Sequence, residues 1–443
     1  MKKLLSAILA VLMVVSLAAC TKPADPTPAP AEEGKVLNIW TWNEEFWGFL
    51  GKYYADEVVD ATTLKKGDVT IKRTTYPSDG GAYQDALDEA LLNQANAAPD
   101  EKVDLFLAEA DYILKYTNSE ATMDVKSIGV TDFSNTYKYT VEAASDAKGV
   151  VKGVSFQCCP AAVIYRRSIA KDVLGTDDPA EVQAAMADWD KFNALAEQCK
   201  AKGYYMISTT NATYRVFSNN VTSPWVVDGK LNIDANIEKW MDQSEEFVKN
   251  GYTHYTSNIW GAEATEDMFG EGKALCYFGP AWYFNFSMTN AQDKEKGSFG
   301  DWAICQGPQA FFWGGTWILA ATGTDNPTMV ADIMNTFINN EEVCEKLVRD
   351  EAQFSNNQVI NNKLAADSTY GSEFLGGQND VAVFAELAKN IKFQNITQYD
   401  QLCNEGLQKY FTEYLDGQVA TREDAINNFK DYIKTTYPSL TVE

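Results

Sequence analysis

The sequence predicts an α/β protein folded as two lobes, and three observations carry that expectation. Short apolar strands alternate with amphipathic helices from Val36 onward, the order that gives parallel sheets covered by helices. Two breaks, at Gln157-Cys158-Cys159-Pro160 and from Gly307 to Gly314, interrupt extended runs, and a proline there forbids an uninterrupted central strand. Residues 35–443 are also more chain than one core of ordinary size serves, which suggests two or three domains.

Residues 1–19, MKKLLSAILAVLMVVSLAA, place two lysines before an apolar run from Leu4 to Val15 and end in small residues. This is the three-part pattern of a secretory signal, with an apolar run too short to span a bilayer comfortably. Leu17-Ala18-Ala19-Cys20 resembles the lipobox of bacterial lipoproteins, which implies cleavage before Cys20 and acylation of it, fixing the protein to a membrane surface without crossing it. Residues 20–34, rich in Pro and Ala, lack the large apolar groups needed for a core and read as a solvated tether.

The formal charge is -25, and loss of residues 1–19 removes two lysines and no acids, giving -27. So acidic a body repels phosphate backbones and anionic headgroups, so no nucleic-acid partner is expected and membrane contact is expected through lipid alone. Seven cysteines follow Cys20, without a CxxC pair, and His254 is the single histidine; no metal site and no cofactor are expected. Adjacent Cys158 and Cys159 are compatible with a vicinal disulfide, with other pairings, or with buried small apolar residues.

Taken in order, Val36–Trp40 is an apolar strand followed by Thr41-Trp42-Asn43-Glu44-Glu45-Phe46-Trp47. Rings stack on the apolar face of a pyranose while amides and carboxylates bond its hydroxyls, so Trp42, Asn43, Glu44 and Glu45 are candidate sugar contacts. Phe46 and Trp47 fit the buried face of a helix running to Tyr54. Val69–Ile71 and Val103–Leu107 read as strands flanking a helix with Tyr83, Ala86, Leu87, Ala90 and Leu91 on one stripe. Strand, helix, strand implies parallel pairing with strand ends on one edge, which makes Glu109 and Asp111 candidates. Extended runs at Gly149–Phe156 and Ala161–Tyr165 flank the first break, placing Gln157 at a hinge.

Asp188 begins a helix with Trp189, Phe192, Leu195, Ala196 and Cys199 on one face, closed by Gly203. Tyr204–Ile207 then leads to a polar and aromatic loop through Asn211, Tyr214 and Arg215, from which Asn211 and Tyr214 are candidates. Asp234 starts a further helix ending at Gly251. Met268–Phe286, MFGEGKALCYFGPAWYFNF, joins a helix end to the strand Ala274–Phe278, a turn at Gly279-Pro280 and an aromatic cluster, from which Trp282 is a candidate. Asp301–Cys305 and Ile318–Ala321 are further strands, with Trp313 and Trp317 between them as candidates near the second crossing. Pro327 opens a helix with Met329, Val330, Ile333, Met334, Phe337 and Ile338 on its buried stripe, and a mostly helical tail closes with Ala425, Ile426, Phe429 and Ile433.

With these segments placed, the chain resembles the extracellular solute-binding proteins of bacterial ABC importers, in the broad group that includes maltose-binding protein. The matching segments are VLNIWTW, VDLFLAEADYI, GVVKGVSFQ, AAVIYRRSIAKDVLG, DWDKFNALAEQCKAKG, MFGEGKALCYFGPAW and GGTWILAATGTDNPTMVADIMNTFI, in the family's order. The resemblance implies a two-lobed periplasmic-binding-protein fold of type II with a hinged cleft, lobe one from residues 35–157 and 312–352 and lobe two from 158–311 and 353–443. It implies a monomer on the outer face of the cell membrane that binds a small ligand, most often a sugar or oligosaccharide, and passes it to a permease. Trp42–Glu45, Asp111, Gln157, Asn211, Tyr214 and Trp282 fall where the family contacts sugar. The composition suits a neutral carbohydrate: 11 Trp and 22 Tyr supply stacking faces. The competing expectations are a surface glycoside hydrolase with Glu44 and Asp111 as paired carboxylates, and a structural lipoprotein without a small ligand. The sequence holds no GxSxG, HExxH or phosphate loop.

Overall fold

Two sheets organise the chain in the computed structural model, which describes residues 33–443. The expected signal segment, Cys20 and nearly all of the tether lie outside the described residues. The strands are β1 (Val36–Thr41), β2 (Glu57–Asp60), β3 (Thr63–Lys66), β4 (Val69–Thr75), β5 (Leu105–Glu109), β6 (Gly153–Ser155), β7 (Pro160–Arg166), β8 (Tyr205–Thr209), the short pair β9 (Val226–Val227) and β10 (Lys230–Leu231), β11 (Thr253–Tyr255), β12 (Ala274–Pro280), β13 (Trp302–Cys305), β14 (Phe311–Phe312) and β15 (Thr316–Ala320). The first sheet runs β2-β3-β4-β1-β5-β15-β6 and the second β11-β8-β12-β7-β13, with β14 also on β7.

Pairing direction decides which loops meet. β1 is parallel to β4 and β5, so the residues after β1 and after β5 emerge at one edge. β15 is antiparallel to β5, with Thr316 opposite Glu109, which brings the residues before it, Trp313 to Gly315, to that same edge. In the second sheet β8 and β12 are parallel, while β7 is antiparallel to β12 with Ala161 opposite Pro280. The residues after β8, after β12 and before β7 therefore share an edge of their own.

The chain passes between the sheets at residues 155–160 and 312–316. It passes beside the first of these again at Phe354–Asn356, where Cys158 N–H donates to the Phe354 carbonyl (2.8 Å) and Asn356 N–H to that of Phe156 (3.0 Å). The helix Pro327–Asn339 buries Val330, Ile333, Met334, Phe337 and Ile338 on the first sheet with Leu37, Ile39 and Leu107. The helices Trp189–Ala201 and Ala235–Asn250 start as expected, Asp188 Oδ1 accepting from Lys191 N–H (2.8 Å) and Asp234 Oδ1 from Asn236 N–H (2.8 Å). A further cluster spans both sheets, joining Phe106 and Tyr112 to Trp302, Trp313 and Phe354.

Two local expectations are corrected. β12 does not stop at Phe278 but continues through Pro280, its last residue, where a missing N–H costs the ladder little. The aromatics that follow form a short helix, Trp282–Phe286, rather than a loop. All seven cysteines from Cys158 onward are free and buried, Cys158 and Cys159 included. Among the described residues no helix is long and apolar enough to cross a membrane.

Candidate functional site

Asp111 and Arg215 join the two sheets' loops. Arg215, early in the helix Tyr214–Ser218 after β8, donates from Nη1 to Asp111 Oδ1 (2.9 Å) and from Nη2 to Oδ2 (2.6 Å). The side chains are 18% and 13% exposed, so this is a largely desolvated, bidentate pair. Burial alone would disfavour the guanidinium charge, but the adjacent Asp111 carboxylate holds its pKa above the ordinary value. The same guanidinium lies over the Trp313 ring, 5.7 Å from its centroid. Asp111 N–H in turn donates to Glu109 Oε2 (2.7 Å). Burial first, then the Asp111 charge, push the Glu109 carboxyl well up, against the pull of Arg215.

Indoles form one wall. Trp282 Nε1–H donates to the Trp313 carbonyl (3.3 Å), and the Trp282 and Trp313 rings meet edge to face at 5.2 Å. Trp260 lies nearly parallel to Trp282, 13° off, with centroids 6.5 Å apart, and 5.4 Å from Trp313. Trp260 is 54% and Phe286 53% exposed, unusual for rings this large unless something covers them. Gly314 carries φ +71°, and a Cβ there would lie 3.5 Å from Glu109 Oε1 and 3.6 Å from the Trp282 indole. The Gly314 backbone thus packs close to both the Glu109 carboxyl and the Trp282 indole.

Amides link Glu45 to the crossing segments. Gln353 Nε2–H donates to Glu45 Oε1 (3.0 Å), Gln157 Nε2–H to Gln353 Oε1 (2.9 Å), and Cys159 Sγ–H to Gln157 Oε1 (3.2 Å). Desolvation pushes the Glu45 carboxyl up to about 7, opposed by the Gln353 bond and helped by the nearby Glu351 charge. A carboxyl raised from 4.5 to about 7 binds a proton in the folded state that the unfolded chain has released, so its contribution to stability falls as pH rises between those values. Surface carboxylates such as Asp56, Asp146 and Glu345, whose partners hold them low, titrate below this window. Asp104, Asp380 and Asp400 are raised by burial into the same window, so Glu45→Gln is expected to lessen, not abolish, the decline of Tm between pH 4.5 and 7, read by thermal melts at constant ionic strength. An unchanged slope would remove Glu45 from this account.

The remaining expected positions divide by burial. Trp42 is partly exposed and packs edge-on against Tyr83 (5.7 Å) and Tyr112 (6.2 Å). Asn43 Oδ1 accepts from Glu45 N–H (3.1 Å) at the start of the helix Glu45–Tyr53. Glu44, 79% exposed, pairs with Arg73 (2.9 Å). Asn211 is 3% exposed and its Oδ1 has no hydrogen-bond partner. Tyr214 is fully buried, its hydroxyl donating to Asn404 Oδ1 (2.6 Å). Trp317 is fully buried and donates from Nε1 to the Thr140 carbonyl (2.8 Å). The structure thus gathers Glu109, Asp111, Trp282 and Trp313, and connects Glu45 with Gln157. Of the candidate carboxylate pair Glu44 and Asp111, each already holds an arginine of its own.

Arg215, Trp260 and Gln353 escape the sequence reading. A large ring among turn residues, Ser257-Asn258-Ile259-Trp260-Gly261, is the signal that marks Trp260; Gln353 immediately precedes Phe354–Asn356, the segment that passes beside the first crossing. Among the described residues no group of three or more His, Cys, Asp or Glu could hold a metal.

The sequence matches the family described as bacterial extracellular solute-binding protein over residues 57–370. No curated protein matches it. Among solved structures, an extracellular solute-binding protein of family 1 superposes with TM-score 0.68 at 16% identity, covering 92% of this chain and 100% of its own. The galacto-N-biose-/lacto-N-biose I-binding protein of a Bifidobacterium longum ABC transporter, in complex with lacto-N-biose, gives 0.67 at 15%, covering 93% and 100%. An ABC transporter associated binding protein from B. animalis subsp. lactis Bl-04, in complex with β-1,6-galactobiose, gives 0.65 at 15%, covering 92% and 99%. These likenesses show the fold, two-lobed and mixed α/β, and the match over residues 57–370 shows more: the chain belongs to the bacterial extracellular solute-binding proteins.

Proposed function

We propose that this protein captures a carbohydrate, sugar or oligosaccharide, in a cleft between two hinged lobes and delivers it to the permease of an ABC importer. The lobes are residues 35–157 with 312–352, and 158–311 with 353–443. Acylation of Cys20 anchors the protein, as a monomer, to the outer face of the membrane. The observation that carries this reading is the indole group of Trp260, Trp282 and Trp313, exposed at Trp260, half-buried at Trp282 and buried at Trp313, standing beside Glu109, with Asp111 and Arg215 bridging the two sheets' loops. Indole faces stack on sugar rings, and the carboxylates and amides around them bond hydroxyls directionally. Two structures of this fold hold disaccharides, lacto-N-biose and β-1,6-galactobiose.

Trp282, Trp313, Glu109, Asp111 and Trp42 are the contacts we assign, with Asn43, Glu45 and Gln157 supporting them. Ligand that touches both lobes favours the closed arrangement by its differential affinity. Thermal melts across a panel of neutral and charged oligosaccharides test the reading, with tryptophan fluorescence as a second readout. A bound sugar at 100 times its Kd is expected to stabilise the protein by about 2.7 kcal/mol. A flat response to every glycan would leave a structural lipoprotein; turnover of an oligosaccharide, abolished by Glu44→Gln, would leave a hydrolase.

A further inference from the structure

A further polar contact, besides that of Asp111 with Arg215, joins the elements of one sheet to those of the other. The helix Ala82–Asn93 is fixed to the first sheet by Tyr83, whose hydroxyl donates to the Leu107 carbonyl (2.7 Å). The helix Asp400–Leu415 belongs with the second sheet. Its Asn404 Oδ1 accepts from the Tyr214 hydroxyl (2.6 Å) and from Trp225 Nε1–H (3.0 Å), and its Cys403, Leu407 and Phe411 pack with Trp240 and Met241. Between these two helices Gln84 Nε2–H donates to Gln401 Oε1 (2.7 Å), and Gln401 Nε2–H donates to the Ser78 carbonyl (3.1 Å) and to Glu405 Oε1 (3.0 Å).

Gln84 is 9% and Gln401 7% exposed. Amides sealed to that degree are costly unless paired, and here each finds a partner across the seam. The seam is nonetheless one that can part. The apolar cluster spanning both sheets, with Phe106, Trp302 and Phe354, would expose its rings to water on separation. Glutamine, aspartate and arginine side chains instead exchange a protein partner for water, so each such contact has a small net worth and re-forms as readily as it breaks. None of these bonds involves a ligand atom: the protein's own side chains close the seam.

We infer that Gln84 with Gln401 and Asp111 with Arg215 form a latch that closes the hinged cleft before any ligand arrives. The inference rests on the hinged cleft of the proposed function and makes no use of which ligand that cleft takes. Only molecules whose latch is open admit a ligand, and the contacts re-form behind it. Association and release are therefore both slowed, and the latch scales the affinity for every ligand by one common factor. Gln84 and Gln401 are positioning residues, acting through the arrangement of the two bodies rather than by ligand contact.

Small-angle X-ray scattering of the ligand-free chain tests this. The parent is expected to scatter as the closed arrangement does, a readout that needs no variant to fold. Gln84→Ala is expected to raise the open-to-closed ratio roughly threefold to tenfold, the shift that one lost buried hydrogen bond produces, and with it the radius of gyration. Gln401→Ala, which also loses the Ser78 bond, is expected to raise both further. The double variant is expected to open no further than Gln401→Ala alone, since the two residues share one bond. Gln84 serving stability alone would lower the urea midpoint and leave the radius of gyration unchanged. A parent that scatters as an open form, or variants as compact as the parent, overturns the latch and leaves the carbohydrate reading standing. A flat response to the glycan panel removes the carbohydrate reading and leaves the latch, whose readout contains no sugar.

Discussion

Arg215→Ala lowers the stability of the ligand-free protein by about 3–5 kcal/mol, the usual cost of removing one partner from a buried ion pair. The reason lies in what remains. Asp111, 9% exposed, loses both of its guanidinium bonds, and Glu109 loses the one positive charge that opposes the upward push on its carboxyl. Burial and the Asp111 charge already push the Glu109 carboxyl well up with Arg215 in place, so the variant leaves the Asp111 carboxylate buried without a cation. The loop then opens to water or the fold loses stability. Chemical denaturation at pH 7 measures the loss. The double variant Asp111→Ala with Arg215→Ala is expected to recover part of it, because burying neither charge is cheaper than burying one. A loss from Arg215→Ala below about 1 kcal/mol, the size of an exposed pair, would mean that water reaches the pair and that it does not join the lobes.

That pair also shows where sequence reading ends. Much of the architecture was legible because it rests on local pattern. The stripe Val330, Ile333, Met334, Phe337 and Ile338 specifies a helix on a sheet, and Asp188 and Asp234 mark helix starts that their side chains do cap. Pro160 separates β6 from β7, and those strands lie in different sheets. The hairpin of β2 and β3 was not legible: all four residues of β2 are exposed and β3 buries only Leu64, so no alternation marks them. Glu109 and Trp282 could be named as candidates because each lies at the end of a short apolar run, Glu109 closing β5 and Trp282 two residues past β12. Arg215 could not, because its partner lies 104 positions away, and only the assembled sheets bring the two loops together. Trp282 and Trp317 look alike in sequence, both being indoles beside glycine-rich breaks, yet one stays partly exposed while the other is sealed beneath Gly315.

That contrast sets the second large effect. Trp282→Ala is expected to weaken ligand binding by about 2–4 kcal/mol, roughly 30-fold to 1,000-fold, the range for an aromatic anchor at the centre of a contact surface. The fold is expected to lose only about 1–2 kcal/mol, less than for a fully buried ring, since the indole is partly exposed and its hydrogen bond to the Trp313 carbonyl is long at 3.3 Å. Trp317→Ala is expected to do the reverse. Its ring is fully buried and its Nε1–H satisfies the Thr140 carbonyl, so truncation leaves a cavity and an unpaired acceptor, while any sugar affinity that survives is that of the correctly folded fraction. Titrating both variants with one glycan by calorimetry, beside urea denaturation of each, separates the two roles. If Trp282→Ala unfolds the protein, or binds as tightly as the parent, the indole belongs to the core and the ligand lies elsewhere; Trp260, the more exposed ring beside it, then becomes the next residue to truncate.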